Sequence, residues 1–242
     1  MKKFAVAVFV IAGAACAYAE ETTLEIEYDS KNINVIQFSG VSSEAVFEPS
    51  TGPVRLAVTK YDDEKCQLEI GQNGGKLKIT LKQKKSLAFW KNVNCEADVS
   101  ILCPEKTELD IKTVSGEISA HGFNAPVSAG TVSGEINLNS INGPVEAGTV
   151  SGEIKISSIS GLASVNTVSG DAAVEWAKAP EKGEISCDTV SGSARLVFPK
   201  GTRANFKCHS VSGDCFGSID YGENLVINAD SVSGDITAEM KK

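Results

Sequence analysis

The chain has 242 residues, with 31 acidic and 23 basic side chains and a net charge of −8. An acidic surface disfavours nucleic acid as a partner, because binding to phosphates depends on clustered lysine and arginine. No apolar stretch after the N-terminal segment is long enough to span a bilayer, so the sequence predicts no transmembrane helix there.

Residues 1–19 have the pattern of a secretory signal peptide. A basic start and an apolar run precede Ala17-Tyr18-Ala19, which forms an A-x-A cleavage site. We therefore expect export to the periplasm, the cell surface or the medium. Cys16 raises the alternative of a lipid anchor, but Gly13 stands where lipoprotein signals carry leucine, so we expect no lipidation at Cys16.

Residues 20–108 predict an N-terminal β region. Short alternating runs of apolar and polar residues occur at Leu24–Tyr28, Val54–Val58, Leu77–Leu81 and Val99–Leu102. Such alternation is typical of strands with one buried face. We expect these strands to be continuous with the repeats that follow and to cap their open end, because exposed sheet edges invite pairing with other chains.

Residues 109–242 contain an internal repeat. Thr-Val-Ser-Gly or Ser-Val-Ser-Gly occurs seven times, with valines at Val114, Val132, Val150, Val168, Val190, Val211 and Val232, spaced by 18 to 22 residues. A fixed period with apolar alternation and glycine corners predicts a coiled repeat architecture. The fold class is therefore all-β: a single-chain parallel β-solenoid of about seven coils of 18–22 residues, each coil adding one strand to each of two facing sheets.

The repeat motif is predicted to form the corner of each coil. Each nine-residue half-repeat alternates with odd positions inward, so Thr131 and Val132 become consecutive inward residues. Two inward residues in a row require a bend, and the glycine two residues later relieves crowding there, since it has no Cβ. The valine is accordingly predicted to plug the core.

The extra residues of the later coils predict loops on one side of the solenoid. They fall at 178–184, 199–203 and 219–224, where proline and glycine interrupt the alternation. These loops and the long sheet faces are the surfaces from which we expect binding.

An outward column of carboxylates follows the glycines. Its members are Glu117, Glu135, Glu153, Asp171, Asp214 and Asp235. Like charges opposed on neighbouring strands are destabilising, so something must offset them. A hard cation such as Ca²⁺ is one answer; solvent exposure together with hydrogen bonds from corner N–H groups is the other, and is favoured because calcium sites gather ligands from several loop positions. The sequence predicts no other cofactor.

Six cysteines follow the signal segment and permit disulfides in an exported chain. Cys187 and Cys208 share a column, and Cys208 and Cys215 flank one corner, so either pair is a candidate. A bridge between two of Cys66, Cys95 and Cys103 would brace the N-terminal region. The alternative is that these residues pack as free thiols.

The sequence resembles a known family at its most regular points. The phrase Ile101-Leu102-Cys103-Pro104, followed by L-D-I-K-T-V-S-G-E-I at residues 109–118, is similar to the bacterial "putative adhesin" domain family, whose core phrase is an apolar strand, proline and V-x-T-V-S-G-D-I. The resemblance covers roughly residues 30–240. It implies an exported β-solenoid at the periplasm or cell surface and carries no catalytic residues.

The expected function is non-enzymatic binding of an envelope or surface macromolecule, a glycan among the candidates, in an adhesin-like role. A structural alternative is self-assembly through the solenoid ends, because the final coil from Val232 to Met240 has no obvious cap. A polysaccharide-active enzyme is the third alternative. It would require a local cluster of acid, base and arginine that breaks the repeat, and the sequence has none.

Overall fold

The computed structural model describes residues 8–10, 24–42, 44–84 and 95–241. The predicted cleavage site and Cys16 lie outside these residues. Among the described residues no helix has the length and apolar character needed to cross a membrane.

The regular secondary structure of the described residues is β-strand apart from one 3₁₀ turn, so the all-β prediction is confirmed. The strands of the N-terminal region are β1 (Val8–Val10), β2 (Leu24–Tyr28), β3 (Val35–Ser42), β4 (Ala45–Pro49), β5 (Val54–Thr59), β6 (Cys66–Asn73), β7 (Lys76–Gln83) and β8 (Asp98–Cys103), with one 3₁₀ turn at Ser30–Asn32. Those of the repeat region are β9 (Glu108–Ser115), β10 (Ile118–His121), β11 (Val127–Ser133), β12 (Ile136–Asn139), β13 (Val145–Ser151), β14 (Ile154–Ile159), β15 (Ala163–Ser169), β16 (Ala172–Trp176), β17 (Gly183–Ser191), β18 (Ala194–Phe198), β19 (Asn205–Ser212), β20 (Cys215–Ser218), β21 (Leu225–Ser233) and β22 (Ile236–Met240).

Two facing sheets contain these strands. From β9 onward, odd-numbered strands join a ten-stranded sheet and even-numbered strands join a twelve-stranded sheet. Neighbours are parallel and in repeat register: Val127 lies opposite Val145, and Ile136 lies opposite Ile154. The parallel, solenoid-like stacking predicted from the period is therefore confirmed.

The core lies between the sheets and is filled by the predicted inward columns. Ile118, Ile136 and Ile154 stack in one such column and are fully buried. Where the column narrows to alanine, the rings of Trp176 and Phe198 stack at 4.3 Å with an interplanar angle of 8° and occupy the space. The indole N–H of Trp176 donates to the carbonyl of Gly161 at 3.0 Å, so this large side chain is buried with its polar group satisfied.

The prediction that each repeat valine plugs the core is wrong. Thr131 is buried at 6% exposure, whereas Val132 is 47% exposed, and the other repeats follow the same pattern. The alternation continues through the valine, and the break falls one step later, where Val132 and Ser133 are both exposed. The threonine rather than the valine faces the core, and Thr167 donates to the carbonyl of Gly170 at its own corner.

The corner glycine is required by the approach of neighbouring coils. A Cβ on Gly170, whose φ is +148°, would lie 1.9 Å from the carbonyl oxygen of Gly152 in the adjacent coil. Its N–H donates to the carbonyl of Ser191 in the coil on the other side at 3.1 Å. Glycine is thus fixed by both backbone conformation and space.

The C-terminal coils do not stack in chain order, which corrects a second expectation. β21 lies between β17 and β19, and β22 lies between β18 and β20. The predicted open edge at Val232–Met240 is therefore an interior position, and the edge is formed by β19 and β20. Side-chain composition explains the order, because β21 and β22 bury the apolar residues Leu225, Ile227, Ala229, Ile236 and Ala238, while all four residues of β20 are exposed.

The N-terminal region shows the same inversion. β3 lies between β7 and β9, and β4 lies between β8 and β10, all in parallel. Antiparallel strands then close this end: β6 pairs with β7 in the ten-stranded sheet, and β5, β2 and β1 extend the twelve-stranded sheet beyond β8. The described residues between Leu24 and Cys103 therefore form both repeat-like parallel strands and an antiparallel end to the stack.

Replacement of a corner glycine should destabilise the whole stack. We expect Gly170→Ala to lower the free energy of unfolding by about 3 kcal/mol or more, because the Cβ meets a backbone carbonyl that cannot move without displacing a coil. Urea denaturation followed by circular dichroism measures the change. Gly71→Ala is the matched control, since a Cβ there meets nothing within 4 Å. Equal effects of the two substitutions would contradict this account of the corner.

Candidate functional site

An exposed column of valines lies on the outer face of the ten-stranded sheet. In spatial order this valine ladder comprises Val114, Val132, Val150, Val168, Val190, Val232 and Val211, which are 46–72% exposed. Val41 of β3 continues it as an eighth member, because Ser39 and Ser42 lie opposite Lys112 and Ser115. The sequence G-V-S at residues 40–42 is the signal that could have identified this member of the repeat.

A second outward column lies beside the valine ladder, two residues earlier in each strand. This central column comprises Lys112, Gly130, Gly148, Asn166, Asp188, Asp230 and His209. The two columns line a shallow groove of about 790 Å³. The sequence interpretation missed this groove because it assigned the valines to the core.

The predicted acidic column is outward, as expected, and its charges are partnered. Lys155 Nζ lies 2.9 Å from Glu135 and 3.0 Å from Glu153, so one cation neutralises two rungs. The hydrogen bond and charge of Lys155 hold the pKa of Glu135 below its ordinary value. Asn137 donates to Glu117 at 2.7 Å.

Two of the three remaining carboxylates of the column accept hydrogen bonds from corner N–H groups. Asp171 accepts from the backbone of Ser193 at 2.8 Å, and Asp235 accepts from the backbone of Asp214 at 2.9 Å. Asp235 thus lies between the coils of Ser193 and Asp214, as the inverted order requires. Within the described residues no group of three or more His, Cys, Asp and Glu side chains forms a metal cluster. Calcium binding by the column stays an untested prediction.

The three loops predicted from the interrupted repeats lie together. Residues from 179–181, 200–203 and 221–224 line a cleft of about 580 Å³, here called the loop cleft. Arg203 Nε donates to the carbonyl of Tyr221 at 3.0 Å, and the N–H of Gly222 donates to the carbonyl of Ala204 at 3.2 Å. These bonds join two of the loops, and the Tyr221 ring remains 63% exposed.

The cysteines divide into two bridges and two buried thiols. Disulfides join Cys66 to Cys95 in the N-terminal region and Cys208 to Cys215 across the corner of the edge coil. The alternative Cys187–Cys208 bridge is excluded by the coil order, because Ala229 lies between them and places them two strand spacings, about 9.6 Å, apart.

Cys103 and Cys187 are free and buried. Burial raises the pKa of each thiol to about 12. A thiol of this kind stays protonated at neutral pH, which makes it a poor nucleophile.

Comparison with known proteins identifies the family. The model of the family described as Toastrack DUF4097 matches residues 21–151 and 133–237, which supports the resemblance to an adhesin-like domain family of unknown function. No curated protein matches the chain.

Several solved structures are similar in fold. A "putative adhesin" from Bacteroides fragilis is 15% identical, with a TM-score of 0.49, over 90% of this chain and 97% of that one. A "putative cell adhesion protein" from Clostridium sporogenes is 14% identical over 92% of this chain and 100% of that one, with a TM-score of 0.40. A "putative lipid binding protein" from Parabacteroides distasonis is 14% identical over 89% of this chain and 96% of that one, with a TM-score of 0.31. At such values the roles in these names do not transfer to this chain.

The acidic column should respond to removal of its lysine. In Lys155→Gln we expect the pKa of Glu135 to rise towards the ordinary glutamate value, because its main charge-assisted hydrogen bond is lost. A carboxyl group whose pKa is lowered in the folded state stabilises the fold at pH values above the ordinary glutamate pKa. This stabilisation is lost as the pH falls through the lowered pKa. That acid-side dependence should weaken in the variant. Carboxyl ¹³C NMR titration measures the pKa, and Lys82→Gln, which removes the partner of Glu69, should leave Glu135 unchanged.

Proposed function

The chain belongs to the Toastrack DUF4097 family, and we propose that it is an exported, non-enzymatic protein that binds a glycan of the cell envelope or surface through the loop cleft. One observation carries the proposal. The three insertions that interrupt an otherwise regular repeat converge on a single cleft with an exposed aromatic ring. Loops held on a rigid β scaffold are the usual location of binding residues.

The cleft is held in shape before any ligand binds. Arg203 pairs with Asp220 in an isolated β-bridge, and its guanidinium holds the carbonyl of Tyr221. Thr202 donates to the carbonyl of Pro199 at 2.7 Å, which closes the second loop on itself. A Cβ on Gly222 would lie 2.8 Å from Arg203, so the third loop is packed tightly against the second. Such preorganisation lowers the entropic cost of binding.

The chemistry of the lining suits a saccharide. The exposed face of Tyr221 offers a flat apolar surface for the C–H face of a sugar ring. Lys200, Asn224 and the carboxylates Glu181 and Glu223 line the same cleft and offer donors and acceptors for hydroxyl groups. Because both signs of charge are present, a neutral or zwitterionic glycan suits the cleft better than a polyanion.

Binding without turnover is the form of the proposal that the geometry favours. Glu181 and Glu223 both line the cleft, yet both are exposed to solvent. The acid of a glycosidase instead lies in an apolar pocket that keeps it protonated. Assay of reducing-sugar release from the bound polysaccharide separates the two functions, and release abolished by Glu181→Gln or Glu223→Gln would establish the enzyme.

The Tyr221 ring should supply much of the binding energy. We expect the purified protein to bind isolated envelope polysaccharide saturably, and Tyr221→Ala to weaken this binding about tenfold through loss of ring contact. Calorimetric titration with soluble polysaccharide fragments measures the affinity. Phe216→Ala is the matched control, because Phe216 is also exposed, at 57%, and lies outside the cleft.

The outcome can contradict the proposal in two ways. Failure of the protein to bind any envelope or surface polysaccharide would remove the function itself. If binding is saturable but Phe216→Ala and Tyr221→Ala reduce it equally, the protein binds the polysaccharide at a site other than the loop cleft.

A second candidate function is end-to-end assembly into a scaffold. The observation that favours it is the exposed edge coil, where Val211 of β19 is 72% exposed and Phe216 of β20 is 57% exposed. Unpaired strand edges are templates for another chain. Light scattering across protein concentration tests it: growth into particles larger than a dimer, suppressed by Phe216→Ser, would support a filament, and its absence would exclude one.

A further inference from the structure

We propose that the valine ladder is the interface of a homodimer, in which two copies pack face to face with their solenoid axes antiparallel. This interface lies on the ten-stranded sheet and is independent of glycan binding at the loop cleft. It includes Val211 and His209 on the outer face of the edge strand β19, but it does not use the unpaired edge of that strand.

The ladder is a continuous apolar surface that the core does not use. Parallel strands are spaced by about 4.8 Å, so the eight rungs from Val41 to Val211 span about 34 Å. Seven of these valines are close to half exposed or more, at positions that the fold directs away from the core. Exposed apolar surface of this length, flanked by polar residues, is typical of an interaction site.

Two glycines of the central column give the strongest indication of a close partner. A Cβ on Gly130 would lie 3.9 Å from its nearest neighbour and a Cβ on Gly148 would lie 3.8 Å away, both ordinary contacts. The stack therefore has room for a side chain at these two positions, unlike at the corner glycines. Because Gly130 and Gly148 have no side chains, the centre of the face is flat, and a flat surface allows another surface to approach closely.

The charges on this face are arranged so that it complements itself. In the central column Lys112 lies on β9, towards the N-terminal end, while Asp188 and Asp230 lie opposite each other on β17 and β21, towards the C-terminal end. Lys112 has one intramolecular partner, Asp110 at 3.4 Å. Ser186 donates to Asp188 at 2.8 Å and His209 lies opposite Asp230 on β19, but the two neighbouring carboxylates still repel each other, so a cation from outside would stabilise them.

A twofold axis parallel to the strands, placed between β13 and β15, satisfies these groups. It sets β9 of one copy against β21 of the other, so Lys112 faces Asp230. It also sets β13 against β15, so Val150 faces Val168 and the exposed Glu146 faces the hydroxyl of Ser164. An arrangement with parallel axes centred on this face would place Lys112 against Lys112, with like charges opposed.

The size of the face sets the expected strength of the dimer. Three outward columns spaced by two residues are about 13 Å wide, so the face covers about 450 Å² per copy and about 900 Å² in the pair. This lies in the range of weak or transient interfaces. We therefore expect a reversible dimer with a micromolar dissociation constant rather than an obligate one.

Sedimentation equilibrium of the purified full chain across concentration tests the dimer. We expect a monomer–dimer equilibrium in the wild type and loss of the dimer in Gly148→Gln, which fills the flat centre, and in Val150→Glu, which places a carboxylate in the apolar contact. Both side chains point to solvent in the monomer, so thermal unfolding should remain close to wild type. Phe216→Glu, on the outer face of the other sheet, is the control and should dimerise normally.

A charge exchange tests the antiparallel arrangement separately. Lys112→Asp and Asp230→Lys should each weaken the dimer about tenfold, because the twofold axis gives two Lys112–Asp230 pairs per dimer and each substitution removes both. The double variant should recover most of the wild-type affinity, which a parallel arrangement would not allow.

Three results would overturn the proposal: a wild type that stays monomeric at its highest soluble concentration, a dimer that is unchanged in Gly148→Gln, and a double charge variant that does not recover affinity. A monomer that binds neutral lipid vesicles through the valines would also overturn it and would assign the face to a lipid surface.

Discussion

The approach of glycine to carbonyl at each corner is the constraint on which the rest of the structure depends. At Gly152 and Gly170 the backbones of adjacent coils come so close that a side chain is excluded from the corner. The spacing and register of the coils are thereby fixed at one point in every turn. Once that register is set, each residue of a strand lies beside its equivalent in the neighbouring strand. A position that points inward or outward in one coil therefore does so in every coil, and equivalent side chains form a column.

Because each position is repeated in every coil, an error of one residue in the predicted alternation misplaces a whole column of side chains. A slip by one position in a strand exchanges its buried and exposed faces. The alternation before the motif and the alternation after it are out of phase, so one extra outward residue must be placed between Thr131 and Ile136. The sequence predicts that such a break exists. The sequence does not show whether the break falls between threonine and valine or between valine and serine, because valine and threonine both fit a strand.

The predicted inward positions of the interior coils were otherwise correct, since isoleucine, leucine and alanine at every second position leave little choice. The predicted inward positions Cys215 and Gly217 of the edge strand β20 are exposed. The order of the coils was less accessible to sequence reasoning. Successive repeats have nearly equivalent edges, so β17 can accept either β19 or β21 as its neighbour. Leu225, Ile227 and Ala229 of β21 are buried in the interior, whereas the edge pair β19 and β20 has no fully buried residue. A comparison of apolar content among repeats, rather than their order in the chain, is the signal that would have predicted this.

The inverted order also shows which surface properties depend on register alone. Although β21 is inserted between β17 and β19, Val232 occupies the rung between Val190 and Val211, and the valine ladder continues without a gap. The loops differ, because their positions depend on where the chain leaves and re-enters the stack. The insertion brings the loop before β21 back beside the loop before β19, and this places Tyr221 next to Arg203. A regular face and an irregular cleft thus arise from the same coils, the first from what the repeats share and the second from where they differ.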